Sequence, residues 1–357
     1  MITSISIGGF KCFNNETISL GNLTVLTGLN NSGKSSCMQA LRMATSIKDV
    51  HGNLIDGMGG YGELRSRFSE QGTPIEITVT LKSQETIKYS LDERGHKSTG
   101  QDLAPFIEFI SADRYGPRVQ LPILQEDDPR LTVGHFGQYA AHYASVLENV
   151  LITEALRHPS SLGNTLKHQL NWWMNEIAPG VKLNFDILKR NDSSTMSVDD
   201  FRPTNSGFGI SYTLPIILSL LTMSGSMGEN DSDWRVKNWF ELLNKNNSLL
   251  LIENPEAHLH PRGQTNIGKL IALTSSLGVQ IVVETHSDHV LDGIRLAVKE
   301  NCAISNDDIL IKYFEKSQMK EPAISEIKIQ RDGKLDNWPS GFFDQLSINL
   351  RSLAMRQ

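Results

Sequence analysis

An α/β fold organised around a phosphate-binding strand–loop–helix is predicted by three features of this 357-residue chain. A β-branched run at 23–27 leads into the octet GLNNSGKS at 28–35, and a helical stretch follows at 34–43. Two continuous apolar runs, at 248–252 and 279–283, have the composition of buried parallel strands. Short stretches at 4–7, 75–81 and 87–91 alternate polar and apolar side chains, as antiparallel strands with one solvated face do.

Taken in order, Ile5 and Ile7 alternate with Ser4 and Ser6, and a second short run covers 17–20. After the phosphate loop and its helix, residues 51–72 are glycine-rich and predict a loop with a short helix. Alternation at 75–81 and 87–91 predicts a meander, and 106–110 a further strand. From 137 to 177 apolar residues recur at helical spacing, which predicts two or three helices broken near His158 and Pro159. Asn, Ser, Asp and Gly dominate 191–209, which is expected to be loop. An apolar helix follows at 210–223, then a polar, mobile segment at 224–233.

Composition narrows the function classes. Hydrophobic residues make up 39% and charged residues 21%, which is ordinary for a folded protein and excludes collagen-like or largely disordered chains. The longest apolar candidate, 214–223, is too short for a membrane span, and the N-terminal residues lack the pattern of a secretory signal. Cys12, Cys37 and Cys302 form no CxxC site or disulfide framework, so a reducing cytoplasm is expected. With 34 basic and 40 acidic residues the net charge is −6, which speaks against a chain that is a basic nucleic-acid binder throughout and leaves a local basic groove open.

The octet fits GxxxxGK[ST] in full, between a strand and a helix. Glycines let successive N–H groups curl toward a phosphate, and the helix N-terminus adds a positive dipole end. Asn30, Asn31, Ser32, Gly33, Lys34, Ser35 and Ser36 are the expected nucleotide contacts. Lys34 would reach the β and γ phosphates of ATP, and the Ser35 hydroxyl would ligate Mg²⁺. Past the apolar run at 249–252 come Glu253 and Glu256. Glu253 is expected to face the metal on a strand lying beside the phosphate-loop strand, and a second acid could polarise the attacking water. His258 and His260, with no Cys nearby, fit a structural or interface loop better than a metal site. His286, past the strand at 279–283, is placed to hydrogen-bond a γ-phosphate. Ser206 and Gly207 open the apolar helix and offer a second anion site, which becomes useful across a head-to-tail dimer.

These elements together resemble the ABC-type ATPase superfamily in its RecF/SMC branch, and within it the OLD (overcoming lysogenisation defect) ATPases and their stand-alone relatives in bacterial anti-phage systems. The resemblance rests on the opening from Phe10 through Ser36, on Glu253 to Pro261, on Glu284 to Ser287, and on the ending from Gly333 to Asp344. It implies an α/β ABC-type P-loop ATPase head with a mixed central sheet, an N-terminal antiparallel β part and a short helical lobe. The implied division is 1–136 as the lobe with the P-loop, 137–200 as a helical insertion and 201–357 as the C-terminal lobe. Ser206 and Gly207 match the Ser-Gly of the signature motif, and Ser111 to Arg114 lie where a Q-loop would be, without its Gln.

Asn254 stands where such ATPases carry the catalytic Glu. An amide cannot take the water's proton. Either Glu256 acts as the base, or hydrolysis is slow and the site works as an ATP-operated clamp. After His286 only scattered acids remain (Asp307, Asp308, Asp332, Asp336), so no nuclease activity is expected of this chain. The resemblance implies an ATPase subunit of a defence complex. It would form a homodimer or higher even oligomer around ATP and Mg²⁺ in the cytoplasm and control a separately encoded effector such as a nuclease. The alternatives are a RecF-like DNA repair ATPase that contacts DNA or RNA, and a nucleotide-binding scaffold without turnover.

Overall fold

The computed structural model describes residues 1–45, 55, 57–128, 130–228, 232–300, 304–315, 321–339 and 341–354. Residues 51–54 and 56 of the glycine-rich stretch, 229–231 of the polar segment, Cys302 and Ser340 lie outside them. The chain opens with β1 (Ile2–Phe10), β2 (Phe13–Ser19), β3 (Leu23–Gly28), α1 (Lys34–Thr45) and a short α2 (Tyr61–Leu64). Next come β4 (Ile75–Leu81), β5 (Thr86–Asp92), β6 (Gly95–Thr99), β7 (Phe106–Ile110) and β8 (Leu121–Pro122). The middle holds α3 (Ala140–Val146), α4 (Leu166–Ile177), β9 (Leu183–Leu188), β10 (Ser193–Val198), α5 (Phe208–Thr222) and α6 (Trp234–Lys245). Then follow β11 (Ser248–Glu253), α7 (Pro261–Ser276), β12 (Gln280–Glu284), α8 (Asp288–Lys299), β13 (Ile309–Glu315), β14 (Ala323–Ile327) and α9 (Gln345–Ala354).

A six-stranded sheet in the order β14-β13-β3-β12-β11-β7 forms the centre, parallel except where β14 meets β13. Its strands are buried on both faces, which is why they read as unbroken apolar runs. On one face Leu26, Leu249, Leu251 and Val282 pack with Cys37, Met38 and Leu41 of α1. The far side of α1 meets Ile5, Ile7, Ile77 and Val79 of a five-stranded antiparallel sheet, β2-β1-β4-β5-β6. On the opposite face Val25, Leu250, Ile252, Ile281 and Val283 pack with residues of α5, α7 and α8. Helix α1 thus lies between two sheets, and its N-terminus emerges where β3 ends.

Two expectations need correction. The strand that presents Glu253, β11, does not lie beside β3; β12 stands between them. Residues 191–209 are not all loop, because β10 pairs antiparallel with β9 from Ser193↔Leu188 to Val198↔Leu183 in a small β8-β10-β9 sheet. The turn-forming aspartates bracket this strand, with Asp192, Asp199 and Asp200 in the left-handed region, while Ser194 and Met196 point into the core. The segment at 137–200 therefore carries strands as well as the helices α3 and α4. Helix α6 lies where the sequence analysis places no element; its Val236, Trp239 and Leu243 are buried.

Candidate functional site

The strand–loop–helix β3–α1 forms the expected cradle. Gly28 has φ 132°, and a Cβ there would come within 2.2 Å of the Phe314 carbonyl oxygen on β13. Gly33 has φ 109°, and a Cβ would meet Cys12 Sγ at 2.8 Å and Phe13 Cζ at 3.0 Å. Both positions require glycine for conformation and for space. Asn31 is left-handed, which Asn tolerates. Asn31, Ser32, Gly33, Ser35 and Ser36 line a groove of about 370 Å³ with Lys11, Gln39 and Arg67. Asn30 lines a second groove, with Gly28, Leu29, His286 and residues 341–345.

Lys34 is buried. Its Nζ donates to the carbonyls of Leu29 at 2.8 Å and Gly28 at 3.2 Å, and lies 3.8 Å from Glu284 Oε1. Ser35 Oγ donates to Glu284 Oε2 at 2.9 Å. Burial lowers the Lys34 pKa, against the opposing pull of Glu284. Burial also raises the Glu284 pKa, opposed by Ser35 and Lys34 and reinforced by Glu253 and Glu256. His286 Nε2 lies 4.0 Å from Glu284 Oε1. Burial, then Lys34, lower the His286 pKa, so a neutral imidazole faces the loop.

The two expected acids take different positions. Glu253 Oε2 accepts from Ala112 N at 3.1 Å and from Ser111 Oγ at 3.5 Å, so the turn after β7 rests on this carboxylate. Glu256 Oε1 accepts from His286 N at 2.8 Å, and its Oε2 from Thr285 Oγ1 at 2.7 Å. Glu256 therefore holds the backbone that carries His286. Asn254 is left-handed, and its N–H donates to the Glu284 carbonyl at 2.9 Å.

Ser206 and Gly207 stand at the N-terminus of α5, outside both grooves. Ser206 Oγ donates locally to Pro203 O at 2.6 Å, and Gly207 is the exposed N-cap. The next turn leans on the segment after Glu256. Tyr212 and Phe208 lie 4.5 and 5.4 Å from the His258 ring, and a Cβ on Gly209 would meet the His258 carbonyl at 2.8 Å. His258 therefore packs against α5, and His260 serves as a helix cap for α7.

ATP and Mg²⁺ fit the residues present. Among the described residues the buried Ser32 Oγ has no hydrogen-bond partner, and it sits in the loop whose N–H groups would meet a phosphate. Phosphate oxygens would compete with the Gly28 and Leu29 carbonyls for the Lys34 ammonium. Ser35 and Glu284 supply hard oxygen donors 2.9 Å apart, with Glu253 on the neighbouring strand, and Mg²⁺ needs only one or two carboxylates beside phosphate. Glu284 joins the candidate site through these contacts; in the sequence it follows an apolar strand just as Glu253 does.

Comparison with known proteins finds similar domains along most of the chain. Residues 1–119 match a family described as "AAA ATPase domain", and residues 125–292 one described as "AAA domain, putative AbiEii toxin, Type IV TA system". Residues 304–353 match a family of unknown function. The Old nuclease of Escherichia phage P2 is 20% identical over 90% of this chain, and the match covers 64% of that protein. An Smc head bound to the C-winged helix domain of ScpA superposes with a TM-score of 0.52 at 13% identity, over 92% of this chain and 98% of the other. The chain thus has the fold of an Smc-type ATPase head and matches ATPase-domain families on both sides of residue 122. A second Smc head, with an extended coiled coil and bound to a C-terminal domain of ScpA from Pyrococcus furiosus, gives a TM-score of 0.51 at 12% identity, over 99% of each chain. Between the phosphate loop and β11, residues 121–198 form a short lobe of α3, α4 and the three-stranded sheet. No helix among the described residues is long and apolar enough to cross a membrane.

Proposed function

We propose that this ABC-type head binds and hydrolyses ATP with Mg²⁺ as a cytoplasmic subunit of a bacterial anti-phage defence complex. What carries the proposal is the buried junction of Lys34, Ser35 and Glu284 at the mouth of the phosphate loop. Lys34 binds phosphate, and Ser35 with Glu253 or Glu284 holds the metal, which neutralises phosphate charge when bound. His286 donates to the γ-phosphate, and Glu256 fixes the His286 backbone and is the candidate base. Asn254 in place of a carboxylate makes turnover slow. Two copies close on ATP, with Ser206 and Gly207 of each reaching the phosphate held by the other. The defence role is supported by the family description at 125–292 and by the likeness to Old nuclease. A separate effector, a nuclease, would do the damage that the ATPase controls.

The test pairs biochemistry with phage plating. The purified chain is assayed for ATP hydrolysis, and cells carrying it with its neighbouring gene are challenged with phage. Lys34→Ala should abolish turnover and lower ATP affinity by about tenfold, near 1.4 kcal/mol. It should also restore phage plating, as should deletion of the neighbouring gene. Turnover that survives Lys34→Ala would refute the ATP site. Plating that ignores both changes would refute the defence role.

A further inference from the structure

We propose that Arg114 is a positioning residue for ATP turnover that ties the start of α5 to the acidic end of β11. The inference rests on the ATPase reading above. Arg114 follows β7 and is 2% exposed. Its Nη1 donates to Ser111 O at 2.6 Å and Glu253 O at 2.7 Å, and its Nη2 donates to Asn254 O at 2.7 Å. The guanidinium carbon lies 5.3 Å over the Tyr212 ring of α5. One side chain thus holds the turn after β7, the last residue of β11 with the residue that follows it, and the helix that begins behind Ser206 and Gly207.

The chemistry asks for arginine here. A planar fork can serve several carbonyls at once and still stack its face on an aromatic ring, whereas an ammonium is a point donor. Burial lowers the Arg114 pKa to about 10, with Glu256, Tyr212 and Glu253 opposing the fall, so the group keeps its charge at neutral pH. That charge stands beside Glu253 and Glu256, as Lys34 stands beside Glu284. Asn254 is the pivot. It is left-handed, its carbonyl accepts from Arg114, and its N–H donates to the Glu284 carbonyl. A shift of α5 moves Tyr212, and Tyr212 covers the guanidinium that sets this pivot. Closure on a second protomer through Ser206 and Gly207 would reach the acids by this route. Arg114 touches no nucleotide on this account; it sets where Glu253 and the chain leading to Glu256 stand.

The test uses the full chain and separates binding from turnover. Wild type, Arg114→Lys, Arg114→Ala and Tyr212→Leu are compared for melting temperature, ATP affinity, KM and kcat, with Lys34→Ala as the binding-defective control. Arg114→Lys should keep ATP affinity within about threefold and lose about tenfold or more in kcat. Tyr212→Leu should show the same split more weakly. Unchanged kcat in Arg114→Lys would overturn the inference. So would a parallel loss of melting temperature, ATP affinity and kcat, which would make Arg114 a structural residue only. If Arg114→Ala does not fold, Arg114→Lys and Tyr212→Leu still decide. Full kcat in Tyr212→Leu would refute the link to α5. Absence of turnover in the wild type would instead overturn the ATPase reading, and this inference with it.

Discussion

Glu253 and Glu284 are register partners at the ends of adjacent parallel strands, and only Glu284 reaches the Ser35 hydroxyl. Both side chains fall on the face of the sheet that α1 covers, since they continue the alternation of Leu249 and Leu251 on β11 and of Val282 on β12. Because β12 lies between β11 and β3, the acid on β12 is the one that meets the phosphate loop directly. Glu253 is one strand further out and is engaged by Ala112 N.

This order makes a distinction between the two acids. Glu284→Gln should raise the Mg²⁺ concentration required for half-maximal ATP hydrolysis by about tenfold or more, a typical cost of losing a group that binds or orients a metal. Glu253→Gln should lower kcat with a smaller change in Mg²⁺ requirement. A Mg²⁺ titration at fixed ATP checks this. If only Glu253→Gln shifts the titration, the metal is held from β11 and Glu284 serves Lys34 alone.

The legible parts of the molecule were those with local rules. The phosphate loop is read from one octet, and the central strands from apolar runs that burial on both faces demands. Glu284 was equally visible as an acid after an apolar run, but its place beside Ser35 depends on sheet order, and sequence order puts Glu253 first. β10 was hidden because its Ser and Thr residues are those of loops; pairing with β9 overrides that composition. α6 carries buried residues at helical spacing, at 236, 239 and 243, so its signal was present without a motif to draw attention. Arg114 had no signal of that kind. Two of its three acceptors are main-chain carbonyls 139 and 140 positions away, and a carbonyl leaves no mark on residue type.

A buried acid away from the cradle gives a pH prediction. Glu108 on β7 is fully buried and accepts from Thr132 Oγ1 at 2.7 Å, and burial raises its pKa to about 8. Unfolded, it would titrate at about 4.3. Between those values the folded chain holds the extra proton, so stability falls as pH rises, and the loss levels off above about pH 8. Glu108→Gln removes this titration. The melting temperature of the variant should therefore drop less than that of wild type between pH 6 and about pH 9. Identical slopes in thermal melts across that range would place the Glu108 pKa in the normal carboxyl range.

Glu256 bears on the question raised by Asn254. Both of its oxygens are engaged by the segment carrying His286, one by a backbone N–H and one by the Thr285 hydroxyl. Glu256→Gln keeps a carbonyl acceptor for one of these donors and cannot take a proton from water. It should bind ATP like wild type and lose about tenfold or more in turnover, accumulating the ATP-bound closed form. Thr285→Val frees one oxygen without removing the acid, and single-turnover rates should fall much less. Equal losses in the two variants would mean that Glu256 acts only by holding His286.

The last prediction concerns assembly. Lys34 and Ser35 sit at the end of β3, while Ser206 and Gly207 sit at the start of α5 and line neither groove of the phosphate loop. Two copies related by a two-fold axis would let each supply a phosphate loop to one ATP and an α5 N-terminus to the other. ATP should then favour the dimer, since it binds the closed state more tightly than the open one. Ser206→Arg puts bulk and charge at the α5 start, outside the grooves of the phosphate loop and apart from the residues that Lys34 contacts. It should leave ATP binding nearly intact and abolish both turnover and ATP-dependent dimerisation. Mixing Ser206→Arg with Lys34→Ala provides the decisive comparison. A heterodimer places both defects in one composite site and leaves the other intact, so part of the activity should return. Verified heterodimers that stay inactive would mean either that the sites do not act in trans or that both must fire together. Full turnover by monomeric Ser206→Arg would eliminate the shared site altogether.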